Sequence, residues 1–246
     1  MYRRPGRQRA LRAFYGQWVG PGDRVFDVGA HVGDRSLAFA ALGANVIAVE
    51  PQPHLAEFLR RLSTRHSRIT VLETAVGASV GRAGMFVSRA TPTVSTLDGA
   101  WKAALARDNP GFAGVSWDQR VTVSVTTLDR LIAEFGEPVF CKIDVEGFER
   151  EVLAGLSRPL RALSLEFVDG ALDKAIACLD ELQRLGRYRF NAVAGEGRAF
   201  IWDEWLDADA VRAWLADGAG GHSSGDLYAV SLQGGPDLAT ETNPDD

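Results

Sequence analysis

Short, mainly apolar runs alternate with amphipathic segments along most of the chain. The apolar run at 25–28 is followed by Gly29, and the run at 46–49 is followed by Glu50 and Pro51. A short apolar run that ends at a turn-forming residue is typical of a buried strand. Apolar residues then recur at intervals of three and four, as at Leu55, Phe58, Leu59 and Leu62, and this spacing predicts a helix whose apolar stripe faces inward. Because parallel strands need crossover helices, the alternation predicts an α/β fold with a mostly parallel sheet and helices on both faces.

The predicted elements are short and regularly spaced. The core strands lie at about 25–28, 46–50, 69–72, 139–143, 163–167, 188–193 and 227–232, with two more strand-like runs at 85–87 and 121–125. The helices lie at about 36–42, 55–62, 128–135, 148–156 and 176–185.

We predict a single domain over residues 21–232, preceded by an N-terminal helix or flap over 1–20. Excursions at about 77–120 and 195–225 interrupt the alternation, and we expect both to lie over the same end of the sheet. The tail, 233–246, is mostly polar with Gly, Pro, Asp and Thr, so we expect it to be disordered.

Composition narrows the functional classes. The net charge of −5 over 246 residues argues against a general nucleic-acid binder. No apolar stretch is long enough to span a membrane, and we see no secretory signal. The two cysteines, Cys141 and Cys178, fit buried core positions in a protein of the reducing cytoplasm. The sequence does not indicate an oligomeric state.

The N-terminus is locally basic. Its arginines are Arg3, Arg4, Arg7, Arg9 and Arg12. We favour a solvated helix or frayed end, and the alternative is a basic flap that meets an acidic acceptor.

A glycine-containing turn joins the first strand to the first helix, with the pattern D-x-G-x-x-x-G over 27–33. Glycines at Gly29 and Gly33 let the backbone approach a ligand, and the free N–H groups of the helix start point toward it. The turn lacks the G-x-G-x-x-G spacing of a dinucleotide site. Asp27 at the strand end would repel a pyrophosphate but suits a ligand that carries an ammonium and a sulfonium, so we favour S-adenosylmethionine over NAD.

A carboxylate ends the second strand. Glu50 lies 17 residues after Gly33, where it can accept hydrogen bonds from both ribose hydroxyls of a nucleoside. Taken alone, the glycine turn is equally typical of a tight turn that binds no ligand. Taken alone, the carboxylate is equally typical of a residue that caps the next helix. Together in one βαβ unit they predict a nucleoside ligand, with His31 contributing its backbone to the turn.

Three charges cluster at the end of the fourth core strand, in the run Lys-Ile-Asp-Val-Glu-Gly over 142–147. Such charges are costly in a sheet that is buried on both faces unless they face a cleft. The alternative is that Lys142 and Asp144 pair only with each other and cap the next helix.

This run with Glu149, together with 27–33, Val49-Glu50-Pro51 and Thr127-Leu128-Asp129, resembles the FkbM family of methyltransferases over about residues 15–232. The resemblance implies a Rossmann-like class I methyltransferase with a seven-stranded sheet and S-adenosylmethionine as methyl donor. It also implies a hydroxyl acceptor on a natural product or sugar.

The resemblance further implies roles for matching residues. The glycine turn would hold the methionine part of the donor, Glu50 with Pro51 the ribose, and residues after the third strand the adenine. The cofactor-binding candidates are Asp27, Gly29, Ala30, His31, Gly33, Glu50, Pro51, Thr74, Ala75, Val76 and Asp144. One departure is His31, where the family often has Asn.

Methyl transfer to a hydroxyl benefits from a base within hydrogen-bond reach. Asp144 is the main catalytic candidate, as base or as anchor for donor or acceptor, with Glu166 and Glu146 as the other candidates. Hydroxyls at 91–96 and tryptophans of the excursions are a possible acceptor pocket, although packing onto the sheet is the favoured role of the tryptophans. These are Trp101, Trp117, Trp202, Trp205 and Trp214. His222, in a glycine-rich segment, fits a flexible loop better than a lid.

Two other functions stay open at this point. An NAD-dependent oxidoreductase would share the sheet and Glu50, and a non-catalytic homologue would keep the nucleoside site. We expect no metal ion, although Asp144 with Glu166 is a conceivable ligand pair.

Overall fold

The computed structural model describes residues 6–88, 90, 95–99 and 114–233. In this part of the chain the helices are α1 (Arg7–Tyr15), α2 (Asp34–Ala41), α3 (Pro53–Ser63), α4 (Leu128–Phe135), α5 (Glu149–Ala154), α6 (Leu172–Leu185) and α7 (Ala208–Ala216). The strands are β1 (Arg24–Val28), β2 (Asn45–Val49), β3 (Ile69–Leu72), β4 (Ala75–Val76), β5 (Gly81–Val87), β6 (Gln119–Thr126), β7 (Phe140–Ile143), β8 (Ala162–Val168), β9 (Tyr188–Ala194) and β10 (Ser224–Ser231).

The main sheet has seven strands in the order β3-β2-β1-β7-β8-β10-β9. All of them are parallel except β10, which runs antiparallel to both of its neighbours. The predicted α/β fold with a mostly parallel seven-stranded sheet is therefore confirmed. The segment that joins β9 to β10, which includes α7, begins and ends at the same end of the sheet, so β10 runs antiparallel to β9.

The register aligns the carboxyl ends of the central strands. Val28 in β1 lies opposite Val49 in β2 and Ile143 in β7. The residues that follow these strands, Glu50 and Asp144 among them, therefore reach the same edge of the sheet as the glycine turn. This is the edge at which doubly wound sheets bind ligands.

Helices cover both faces of the sheet. One core cluster combines buried residues of α4, α5, α6 and α7 with one face, and a second combines those of α1, α2 and α3 with the other. The buried strand residues alternate between these clusters, as a sheet with two covered faces requires.

Helix α1 differs from the favoured prediction of a solvated N-terminal helix. Leu11, Phe14 and Tyr15 are buried, and Phe14 and Tyr15 make edge-on contacts with aromatic rings of the core. These residues have helical i, i+3, i+4 spacing, so they form one apolar face of a helix whose other face carries the arginines. Arg3 and Arg4 lie outside the described residues.

The prediction that the whole apolar stripe of α3 faces inward was wrong for Phe58, whose side chain is 47% exposed. Leu55 and Leu59 are buried as expected. Helix α3 packs beside β3 at the edge of the sheet, where only a narrow strip of helix surface is covered.

A small second sheet includes the two strand-like runs predicted at 85–87 and 121–125, which fall in β5 and β6, whereas its third strand, β4, was not predicted. Its order is β4-β6-β5, with β5 antiparallel to β6 and β4 parallel to it. The two-residue strand β4 is too short to give an alternating pattern. The predicted disordered tail falls outside the described residues from 234 onward.

Candidate active site

A cleft of about 280 Å³ opens at the carboxyl ends of the central strands. Its walls come from the turn after β1, the end of β2, the segment before and within β4, and the loop after β7. The first excursion contributes Met85, Ser95 and Leu97, and the second contributes Glu196. Both excursions therefore border the same cleft.

The turn after β1 is held by backbone contacts. The N–H groups of Gly29 and Ala30 donate to the carbonyl of Val49 at 2.9 and 3.0 Å. Gly29 has a φ of 82°, and a Cβ at this position would lie 1.8 Å from the carbonyl oxygen of Asp144. Only glycine allows the loops after β1 and β7 to approach this closely.

Glu50 is fixed by two backbone donors. Its Oε2 accepts from the N–H of His31 and its Oε1 from the N–H of Gln52, both at 2.9 Å. The residue is 2% exposed, and burial raises its pKa to about 7 despite these two hydrogen bonds. Each carboxylate oxygen keeps further acceptor capacity, so the group is set up to receive a pair of hydroxyl donors from the cleft.

His31 contributes to this arrangement through its backbone. It has a φ of 50°, which is unusual for a residue with a side chain, and this conformation turns its N–H toward Glu50. Burial lowers the pKa of its imidazole, so the ring is neutral at pH 7.

Asp27 lines the floor of the cleft and is 1% exposed. Its Oδ2 accepts a hydrogen bond of 2.5 Å from the hydroxyl of Ser36 on α2. Burial raises the pKa of this carboxyl, although Lys142 and Ser36 oppose the change.

Lys142 and Asp144 form an ion pair of 2.5 Å between Nζ and Oδ2. The Lys142 side chain is 2% exposed and that of Asp144 is 27% exposed, so the pair lies with the lysine inward and the carboxylate toward the cleft. Burial would raise the pKa of Asp144, but Lys142 and Arg35 outweigh it and lower that pKa. Asp144 is therefore ionised at neutral pH.

Three carboxyl groups converge beside this pair. Asp144, Glu146 and Glu166 each offer an oxygen that lies within 4.8 Å of the others. Burial and the neighbouring carboxylates raise the pKa values of Glu146 and Glu166 well above normal. The raised pKa values favour the protonated forms of these carboxyl groups, because protonation relieves the repulsion between like charges. The same geometry could also accept a divalent ion.

The loop that carries Glu146 has a strained backbone, which side-chain hydrogen bonds from Glu149 hold in place. Glu146 has a φ of 56° and Gly147 a φ of 88°. The Oε1 of Glu149 accepts from the N–H groups of Val145 and Gly147 at 3.0 and 3.3 Å. Glu149 is 4% exposed, and burial raises its pKa to about 7.

Glu149 is a functional residue for which the sequence predicted no role beyond its place in the motif. A carboxylate two residues after a glycine and at the start of a helix was the available signal, because acids there commonly bond free backbone N–H groups. The hydroxyl of Thr96 supports the same loop from the first excursion by donating to the carbonyl of Glu146 at 2.6 Å.

Charged residues surround the cleft near α2. Arg7 of α1 bonds Asp34 at 2.5 Å and Glu196 at 2.9 Å, and Arg35 reaches Glu196 at 3.4 Å. Burial would raise the pKa of Glu196, but Arg35 and Arg7 lower it. This cluster joins α1, α2 and the second excursion, which lie far apart in sequence, and sequence reasoning did not find it.

Of the remaining cofactor-binding candidates, four line the cleft and Gly33 packs against a helix instead. Thr74, Ala75, Val76 and Pro51 line the cleft on the Glu50 side. Gly33 lies beside α3, where a Cβ would be 2.7 Å from Leu59.

Among the described tryptophans of the excursions, none lines the cleft. Trp202 and Trp214 contact each other edge-on and pack on the core, while Trp117 packs against Val168 and Ala171. Trp205 packs against Phe200. Trp101 and residues 91–94 lie outside the described part of the chain.

None of the helices in the described part of the chain has the length and hydropathy that a bilayer-spanning helix requires.

Comparison with known proteins gives matches over most of the chain. The model of the methyltransferase FkbM domain matches residues 27–218. The chain is 32% identical over 192 residues to 31-O-demethyl-FK506 methyltransferase FkbM of Streptomyces tacrolimicus, covering 67% of this chain and 74% of that protein. It is 28% identical over 149 residues to the hexuronic acid methyltransferase AglP of Haloferax volcanii, covering 60% of this chain and 55% of that protein.

A solved structure of fibrillarin from Aeropyrum pernix, in complex with S-adenosyl-L-methionine, superposes with a TM-score of 0.47 at 10% identity. The superposition covers 93% of this chain and 75% of that chain.

Proposed function

The chain belongs to the FkbM methyltransferase family, and on this premise we propose that it transfers the methyl group of S-adenosylmethionine to a hydroxyl group of a small-molecule acceptor. The observation that carries the proposal is Glu50. Its carboxylate is fixed by two backbone N–H groups at the end of β2, beside a positive-φ turn that brings the backbone up to the cleft. A buried acceptor pair of this kind suits the two hydroxyls of a ribose.

The chemistry of the surrounding groups fits this donor. Asp27 and Asp144 line the cleft beside the glycine turn, and both favour a cationic ligand. A dinucleotide would bring its pyrophosphate to the same turn and meet these carboxylates. The residues Thr74, Ala75, Val76 and Pro51 line the Glu50 side of the cleft, and we assign the adenine to them.

S-adenosylmethionine, when bound, would supply a methyl group on a positively charged sulfur, and this sulfur would be the leaving group when an oxygen nucleophile attacks the methyl carbon. The protein's task is then to align the acceptor oxygen and to remove its proton. Asp144 is the residue for this role, because Lys142 keeps its carboxylate ionised and its side chain faces the cleft.

Glu146 and Glu166 take a different role in this proposal. Burial and the neighbouring carboxylates raise the pKa values of both groups and so favour their protonated forms, which donate hydrogen bonds to the acceptor and orient it toward Asp144. The ion pairs of Arg7 and Arg35 with Glu196 cover the α2 side of the cleft and limit the access of water.

The names of the two relatives support a small acceptor that carries oxygen functions, since one acts on demethylated FK506 and the other on a hexuronic acid. We therefore assign a natural product or sugar to this chain rather than a nucleic acid. Both cysteines are buried and unpaired, which suits the reducing cytoplasm.

The test is incubation of the protein with methyl-labelled S-adenosylmethionine and a panel of sugars and macrolactones that carry free hydroxyls, followed by mass spectrometry. We expect a mass gain of one methylene unit on a hydroxyl oxygen and release of S-adenosylhomocysteine. A protein that binds NAD but not S-adenosylhomocysteine would contradict the proposal.

A further inference from the structure

Arg35 differs from the other charged residues of the cleft in how little of its hydrogen-bonding capacity is used. It is the second residue of α2, directly after the glycine turn, and it lines the cleft. Its side chain is 14% exposed. A guanidinium has five N–H donors, and an arginine does not lose its charge in a protein.

The contacts of Arg35 leave donors unpaired. One terminal nitrogen reaches Glu196 at 3.4 Å, which is a long hydrogen bond. Its Nε–H is shielded from solvent and meets no acceptor among the residues that the structure describes. The other terminal nitrogen makes no hydrogen bond with the described residues, so this end of the guanidinium can donate to a ligand in the cleft.

Arg7 provides the contrast, because it shares Glu196 and has the same side-chain exposure of 14%. Its Nε bonds Asp34 at 2.5 Å and its terminal nitrogen bonds Glu196 at 2.9 Å. Arg198 also reaches Glu196. Glu196 is shared by three arginines and is 53% exposed, so it engages Arg35 only weakly. Asp226 stabilises the positive charge of Arg35 more strongly but makes no hydrogen bond with it.

The position of Arg35 defines the ligand group. The glycine turn and Asp27, which we assign to the methionine part of the donor, lie within a few residues of Arg35 and line the same cleft. The amino-acid end of that donor carries an ammonium and a carboxylate. The carboxylates beside the turn, such as Asp27, can bind the ammonium of the donor. Arg35 is the cation beside the turn that keeps unpaired N–H donors among the described residues, so it can bind the carboxylate.

We propose that Arg35 binds the α-carboxylate of the methyl donor and thereby determines that the cleft accepts a donor with a complete amino-acid end. This inference rests on the proposed function and adds to it a named residue for one end of the donor. Planar guanidinium and carboxylate groups match in a two-point hydrogen bond, which the long contact with Glu196 leaves room to form.

The experiment compares two nucleosides by calorimetry on the full chain. S-adenosylhomocysteine has the α-carboxylate, whereas 5′-methylthioadenosine lacks the whole amino-acid end. We expect Arg35→Gln to weaken S-adenosylhomocysteine about 10- to 100-fold and to leave 5′-methylthioadenosine within about twofold. Arg35→Lys, which keeps the charge but not the planar fork, should lie between the wild type and Arg35→Gln.

Arg198→Gln is the matched control, because Arg198 bonds Glu196 but does not line the cleft. It should bind both nucleosides as the wild type does. If Arg35→Gln binds S-adenosylhomocysteine with unchanged affinity, or loses both nucleosides equally, the inference is wrong. If the wild type binds neither nucleoside, the proposed function itself fails.

Discussion

The two sides of the cleft are built in different ways. The donor side consists of the glycine turn and Glu50, which belong to one βαβ unit between β1 and β2 and are tied together by backbone hydrogen bonds. The acceptor side consists of Asp144, Glu146 and Glu166, which come from the loop after β7 and from β8 and meet through side chains.

This difference indicates separate roles in recognition. Backbone donors and a buried carboxylate give a rigid site that suits a single, invariant ligand. Side chains on separate segments, with protonation states that depend on one another, can be changed individually to suit a new acceptor. We infer that the donor site is general to the fold, whereas the carboxyl cluster is specific to the acceptor of this chain.

The largest predicted effect separates chemistry from donor binding. Asp144→Asn should reduce turnover about 100-fold or more, because the amide cannot accept the proton of the acceptor. Affinity for S-adenosylhomocysteine, whose sulfur is neutral and does not need the charge of Asp144, should change by less than about threefold. Single-turnover assays and calorimetry on the same preparation measure the two quantities.

Asp217→Asn is the control for this substitution, since Asp217 is exposed at the end of α7 and away from the cleft. Retention of full turnover by Asp144→Asn would remove Asp144 from the proposed mechanism.

A second prediction concerns the loop that carries the acceptor side. Glu149 has a folded-state pKa of about 7 against an ordinary value of 4.5. Because the folded state holds this proton more tightly, its contribution to stability is complete below about pH 4.5 and is lost as the pH rises through 7. Glu149→Gln, which resembles the protonated form, should reduce the fall in the free energy of unfolding between pH 5 and pH 8 by about 2 kcal/mol.

Urea denaturation at the two pH values checks this, with Glu151→Gln as the control in the same helix. An identical fall in Glu149→Gln and the wild type would show that Glu149 does not titrate in this range.

The smallest predicted effect concerns the donor side. Glu50 has a pKa of about 7 in the free protein, and hydroxyl donors of a ribose favour its ionised form. Binding therefore releases a proton, and the affinity for S-adenosylhomocysteine should rise about tenfold between pH 6 and pH 8. Calorimetry in buffers of different ionisation enthalpy measures both the affinity and the released proton. An affinity that falls over this range would contradict the assignment of Glu50.

The sequence predicted the parts of the molecule that depend on local pattern. The central strands and helices follow from short apolar runs and helical spacing, and the donor-side residues could be grouped because they lie within one βαβ unit. The two-residue strand β4 and the contact of Glu196 with Arg7 and Arg35 depend on segments distant in sequence. The burial of α1 depends on the three apolar positions Leu11, Phe14 and Tyr15, which stand in a segment whose many arginines are typical of a solvated helix.

Protonation also lay beyond the sequence. Asp144, Glu146 and Glu166 could be grouped from the sequence, yet the opposite directions of their pKa shifts arise from Lys142, from burial and from mutual proximity, all of which require coordinates.

The central claim is that Glu50 holds the ribose of a nucleoside donor at the end of β2. The most direct measurement is calorimetric titration of S-adenosylhomocysteine into the wild type, Glu50→Gln and the control Glu57→Gln, whose parent side chain is exposed on α3. The account predicts one site per chain, an affinity about 10- to 100-fold weaker in Glu50→Gln, and no change in Glu57→Gln. Equal affinity in Glu50→Gln and the wild type, or no binding to the wild type, would contradict it.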